Sequence, residues 1–173
     1  GVPLDEDDHW SLDIDRVKAE IRPDTRLVSI NFPNNPTGAI LPHDRFDALV
    51  ALCRQHGLWL FSDEVYRLIE RDPALRLPQV ADVYERGISL NVMSKSYGLP
   101  GLRIGWLACQ DRAFLSACEH YKHYLSICNS APSELLAEIA LKARDPILAR
   151  NRAIVAANPV SYTHLRAHET EAD

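Results

Sequence analysis

Apolar positions along the chain fall into two alternating periods. Ile14, Val17 and Ile21 recur at helical spacing behind Asp13, a residue type that caps helix N-termini, and Arg22-Pro23-Asp24 stops that helix. Leu27 to Ile30 then forms a short continuous apolar run of the kind a buried strand makes. Pro42 opens a second helix, with Asp44 and Asp47 near its positive end, a stripe of Phe46, Leu49, Val50 and Cys53, and Gly57 to close it. Two further apolar runs, Leu58 to Phe61 and Ile88 to Met93, read as strands, and Arg103 to Cys109 as a fourth. Between Arg67 and Gly87 the pattern loosens around Asp72-Pro73 and Leu77-Pro78, which predicts a loop and a short helix. Asp111 caps a helix carrying Phe114, Leu115 and Cys118, and Pro132 to Ala143 and Pro146 to Ala157 read as two more. Strands alternating with helices in this way predict an α/β fold.

The chemistry gathers where the strands end. Ligands of open α/β sheets bind at the carboxyl edge of the strands. The first strand runs into Asn31-Phe32-Pro33-Asn34-Asn35-Pro36-Thr37-Gly38, the second into Ser62-Asp63-Glu64-Val65-Tyr66, and the third into Ser94-Lys95. Lysine is the side chain that forms Schiff bases. Gly98, Pro100 and Gly101 follow, so the backbone can curve tightly enough to return the Arg103 guanidinium beside Ser94, where it would clasp an anion. Asp63 taken alone is more commonly a helix N-cap, and Glu64 reads as a surface residue or a support behind Asp63.

Composition narrows the partners. With 173 residues, 46% of them hydrophobic, the chain is one domain's worth and can bury a proper core. A net charge of -5 and no basic patch argue against nucleic acid, whose binding rests on clustered Lys and Arg. Nothing in the chain is membrane-like. Cys53, Cys109, Cys118 and Cys128 lack CxxC spacing and fall in apolar patterns, which predicts buried free thiols and a cytoplasmic setting. The acidic run Asp5 to Asp8 reads as a solvated loop. His120 and His123 share a helix face and read as solvated histidines, so no metal site is expected.

The stretch Ser94-Lys95-Ser96-Tyr97-Gly98-Leu99-Pro100-Gly101-Leu102-Arg103-Ile104-Gly105 resembles the cofactor-lysine segment of the class I/II pyridoxal-phosphate-dependent aminotransferases. Asn34-Asn35-Pro36-Thr37-Gly38 and Ser62-Asp63-Glu64-Val65-Tyr66 reinforce the likeness in the family's order. The resemblance implies a three-layer αβα fold with a mostly parallel sheet, part of the large domain of a fold type I transferase, its fourth strand antiparallel. It implies pyridoxal 5'-phosphate as cofactor, held by Lys95 as a Schiff base, with Lys95 then acting as general base. Asp63 would pair with the pyridinium nitrogen, Asn35 and Tyr66 with the phenolic oxygen, and Arg103 and Ser94 with the phosphate. The Asn35-Pro36 bond would be cis. Val92 departs from the family, where many members place a phosphate-contacting Ser or Thr.

The implied reaction moves an amino group between an amino acid and a 2-oxo acid in a homodimer. Lyase, decarboxylase or cyclase chemistry on the same scaffold, and the cofactor-binding sensor domain of a transcription regulator, are alternatives. Full-length members also carry an amino-terminal segment with a ring-stacking aromatic and a small carboxyl-terminal domain with a substrate-binding arginine. Neither is read here, so residues 1–159 are expected to be a truncated large domain, inactive alone. Residues 160–173 have no period and no counterpart in the family; back-translated, they resemble a sequencing adapter read in frame and are expected to be a non-native tail.

Overall fold

The computed structural model of the chain describes residues 1–158; the tail expected at 160–173 lies outside the described residues. In chain order the elements are α1 (Ile14–Ala19), β1 (Leu27–Asn31), α2 (His43–His56), β2 (Trp59–Asp63), α3 (Val80–Val83), β3 (Gly87–Val92), β4 (Gly105–Cys109), α4 (Arg112–Ser126), α5 (Ala131–Lys142) and α6 (Arg144–Ala157). Short 3-10 turns stand at Pro73–Leu75 and Pro100–Leu102. The capping residues act as their types require. The Asp13 carboxylate accepts the N–H groups of Asp15 at 2.9 Å and Arg16 at 3.2 Å, and Asp111 accepts that of Phe114 at 2.9 Å.

The strands form one sheet in the order β1-β2-β3-β4. β1 and β3 run parallel to β2, and β4 runs antiparallel to β3. The register brings Asn31 opposite Asp63 and Asp63 opposite Leu90, so β1 and β2 end level with one another while β3 runs two residues further, to Val92. Side chains alternate across the sheet. One face carries Ile30, Leu60, Ser62 and Ser89 and is covered by α2 and α3, whose Phe46, Leu49, Cys53, Val80 and Tyr84 complete the main core. At full burial each such side chain contributes about 1.5–3 kcal/mol. On the other face Trp59 meets Phe114 of α4, with ring centroids 5.1 Å apart. A second, smaller core of Met93, Tyr97, Ala137 and Ala140 fixes α5 against the loop that follows β3.

Three expectations change. The fourth strand starts at Gly105 rather than Arg103, because Arg103 adopts a left-handed conformation (φ 55°) at the end of the Pro100–Leu102 turn. Only Cys53 of the four free cysteines is buried, its thiol pushed up to about 11 by burial, whereas Cys128 is exposed. Cys53 lies on the helix face that meets the sheet, while α4 buries none of its residues fully. Glu64, expected at the surface or in support, is enclosed in the core. No helix among the described residues is long and apolar enough to cross a membrane.

Candidate active site

The exits of β1 and β2 are tied by one amide. Asn31, the last residue of β1, donates from Nδ2 to the Asp63 carbonyl at 3.1 Å and accepts the Asn35 N–H on Oδ1 at 2.9 Å. Its signal in the sequence is a polar residue ending an apolar run, directly before the Pro-Asn loop. That loop is held internally by Asn34, whose Oδ1 accepts the Thr37 hydroxyl at 2.8 Å. Both Phe32–Pro33 and Asn35–Pro36 are cis. Asn35 is exposed and shares with Tyr66 the wall of a crevice of about 590 Å³, closed on other sides by Ile69, Leu75 and Val155.

At the exit of β2 the chain turns instead of entering a helix. Asp63 therefore caps nothing helical: its Oδ1 accepts the Val65 N–H at 3.2 Å in the Val65–Leu68 turn. Tyr66 sits at the middle of that turn. Glu64, 3% exposed, points the other way, and its Oε1 accepts the Val80 N–H at 3.0 Å and the Ser89 hydroxyl at 2.8 Å. Burial raises its carboxyl above the usual range, against the lowering effect of those hydrogen bonds and of Arg67. Its Oε2 has no partner among the described residues. The turn is closed by Glu70, which accepts the Leu68 N–H at 2.9 Å and pairs with Arg76 at 2.9 Å.

After β3 the residues Met93 to Tyr97 form a turn that carries Ser94 and Lys95. The exposed Lys95 amine stands 5.6 Å from the centroid of the Tyr66 ring, so the structure brings these two side chains together. The Met93 N–H donates to Ile104 O at 2.9 Å, which sets the Lys95 turn beside the segment leading from Arg103. Arg103 itself is exposed and donates to Pro100 O at 3.1 Å; among the described residues no side-chain hydrogen bond joins it to Ser94. Three residues escaped the sequence as contributors here: Asn31, which ties two strand exits, Glu64, a carboxylate with no local sign of burial, and Ser96, a buried hydroxyl whose partners lie 29 and 31 residues away.

The donor set has the chemistry of a particular kind of ligand. An amine, a carboxylate, a phenol, an amide, a hydroxyl and a guanidinium would meet, in turn, an aldehyde, a basic ring nitrogen, a phenolic oxygen and a phosphate dianion. Pyridoxal phosphate carries all of these, so the residues present fit it. Among the described residues no group of three or more His, Cys, Asp or Glu side chains is arranged to hold a metal ion.

Comparison with known proteins agrees with this chemistry. The family model for aminotransferase class I and II matches residues 1–167. The arginine–pyruvate transaminase AruH of Pseudomonas aeruginosa is 36% identical over 131 residues, covering 73% of this chain and 31% of that protein. The glutamate–pyruvate aminotransferase AlaA of Escherichia coli is 34% identical over 149 residues, covering 79% and 35%. Among solved structures, a PLP-dependent aminotransferase from Streptococcus suis superimposes with a TM-score of 0.83 at 37% identity, over 90% of this chain and 40% of that one. The chain spans about a third of the length of the curated relatives it matches. With the family model running along nearly the whole sequence and the sheet superimposing on a solved member, the chain belongs to the class I and II aminotransferases.

Proposed function

We propose that this chain is the cofactor-bearing part of an enzyme that transfers an amino group between an amino acid and a 2-oxo acid with pyridoxal 5'-phosphate. The observation that carries the reading is the Lys95 amine standing over the Tyr66 ring beside the level ends of β1 and β2, which carry Asp63 and lead to Asn35. When bound, the cofactor supplies an aldehyde for amines and a ring that draws electrons from the substrate's α-carbon. Lys95 attaches it covalently and, once released, takes and returns a proton at its Nζ. Asp63 provides the negative charge that keeps a proton on the ring nitrogen, because an opposite charge at hydrogen-bond distance favours the charged form. Tyr66 and Asn35 hydrogen-bond the phenolic oxygen and fix the rotation of the ring. Arg103, with Ser94, holds the phosphate and keeps the ring in register with Lys95.

The substrates in this reading are an amino acid and a 2-oxo acid, the working unit is a homodimer, and the setting is amino acid metabolism in the cytoplasm. The names of AruH and AlaA, each pairing an amino acid with the 2-oxo acid pyruvate, support the substrate class. Residues 1–159 act as part of the large domain, and 160–173 as a non-native tail. The test is borohydride reduction of the full-length protein carrying this chain, followed by peptide mass mapping. We expect the reduced cofactor on the Lys95 peptide and none in Lys95→Ala; a cofactor still attached in that variant would overturn the assignment.

A further inference from the structure

One buried hydroxyl fastens the Lys95 turn to the Tyr66 turn. Ser96 directly follows Lys95 and is 3% exposed. Its Oγ lies 2.8 Å from the carbonyl of Val65 and 2.5 Å from that of Arg67, the two residues flanking Tyr66. Its N–H also donates to Val65 O at 3.3 Å. Neither turn has a strand ladder to hold it, since both lie beyond the ends of β2 and β3. A serine hydroxyl has one hydrogen and here two acceptors in reach, so a single donor is shared between the carbonyls on either side of the phenol.

Adjacent residues of α6 secure both turns from behind. Asn151 donates from Nδ2 to Ser96 O at 2.9 Å, and Arg152 donates from Nη1 to Leu68 O at 3.3 Å. Asn151 reaches Ser96 because Gly98, with φ +65°, leaves room: a Cβ there would stand 3.1 Å from the Asn151 amide nitrogen.

We propose that Ser96 is a positioning residue which, braced by Asn151, sets the separation of the Lys95 amine and the Tyr66 phenol. The inference rests on the cofactor site assigned above. Ser96 touches neither reacting group; it acts through the backbone on both sides of Tyr66 and through the Cα next to Lys95. Removing the hydroxyl leaves the two carbonyls to find other donors, and the Tyr66 turn can then drift from the amine. Misplacement of about 1 Å in such a pair costs on the order of 10²-fold in rate.

The experiment uses the full-length protein loaded with pyridoxal phosphate, comparing wild type with Ser96→Ala, Ser96→Thr and Asn151→Ala. The readouts are the midpoint pH of the bound cofactor's absorbance change, kcat, KM and Tm. Ser96→Ala is expected to shift the midpoint by about half a unit or more and to lower kcat about 10- to 100-fold with KM within about 3-fold. Ser96→Thr, which keeps the hydroxyl, restores the midpoint and kcat, and Asn151→Ala moves both in the same direction as Ser96→Ala by a smaller amount. A Ser96→Ala protein with a lowered Tm but wild-type midpoint and kcat would show a mere staple and overturn the proposal. Should Ser96→Ala fail to fold, Asn151→Ala decides on the same readouts, with unchanged values counting against. Wild-type protein with no reducible cofactor at Lys95 would bring down the site itself, whereas normal attachment with unmoved variants brings down only the role of Ser96.

Discussion

Glu64 holds together three parts of the chain that are distant in sequence. Its Oε1 satisfies the Val80 N–H at the start of α3 and the Ser89 hydroxyl of β3, and that same Ser89 oxygen accepts the Ala81 N–H at 3.1 Å. Glu64→Ala orphans two buried donors, which costs about 2–6 kcal/mol in all; urea melts of the full-length protein measure it. Its raised carboxyl gives a pH dependence of definite sign. The folded state binds this proton more tightly than the unfolded chain does, so the contribution is fully present below the ordinary carboxyl range and falls away as pH rises through the raised value. Glu64→Gln, fixed in the shape of the neutral acid, is expected to flatten that fall in a series of melts from acid to neutral pH; an unchanged slope would mean that Glu64 does not cause it. Nothing around Glu64 in sequence announces its burial, since carboxylates are exposed by default and its partners lie 16 and 25 residues away. Asp63, one residue earlier, was legible because it stands at the end of an apolar strand.

Element α3 rides unusually close over the start of β3. A Cβ on Gly87 would lie 2.2 Å from Val80 O and 3.0 Å from Tyr84 O, both backbone atoms that cannot swing aside. Gly87→Ala is therefore expected to cost at least the ~1–3 kcal/mol typical of overpacking, read as a lowered urea midpoint with an unchanged m-value. The same element shows where sequence reasoning runs short. Helix α2 was readable from Pro42, its apolar stripe and Gly57, all local signals. α3 has four residues, too few to show a period, and its stability comes from Tyr84, whose hydroxyl donates to Leu58 O at 2.6 Å, and from Glu64. Arg103 reads as the start of a strand for a similar reason. The sequence shows a β-rich run, but the left-handed turn that delays the ladder to Gly105 depends on how Pro100–Leu102 packs beneath α5. The strand-end residues were legible because they follow apolar runs; the fastenings between strand ends, Asn31 and Ser96, were not, because each is defined by a partner on another strand's exit.

At the scale of the whole fold, the described residues carry apolar surface that no described element covers. Tyr121, Leu125 and Ile127 on and after α4, and Leu135, Leu136 and Ile139 on α5, are all exposed, and Tyr124 is 88% exposed. Net stability is a small difference between large terms, so surface of this kind left in water weighs heavily. Residues 1–173 expressed alone are expected to self-associate on size-exclusion chromatography and to melt broadly, without cooperative heat absorption. A sharp calorimetric transition from a monomer would show that α4 and α5 need no cover. The shared ending of β1 and β2 also sets how far the protein's length can vary in evolution. Because side chains alternate with a period of two, one inserted residue within β2 ahead of Asp63 exchanges the faces of Leu60 and Phe61 and turns the Asp63 carboxylate to the opposite side of the sheet. The same insertion between Arg71 and Pro73 only lengthens a surface loop. Insertions and deletions can therefore accumulate in the segment bordering the crevice while the strands leading to Asn35, Asp63 and Lys95 keep a fixed count, so the lineage can change what enters the crevice without disturbing the strand ends beside it.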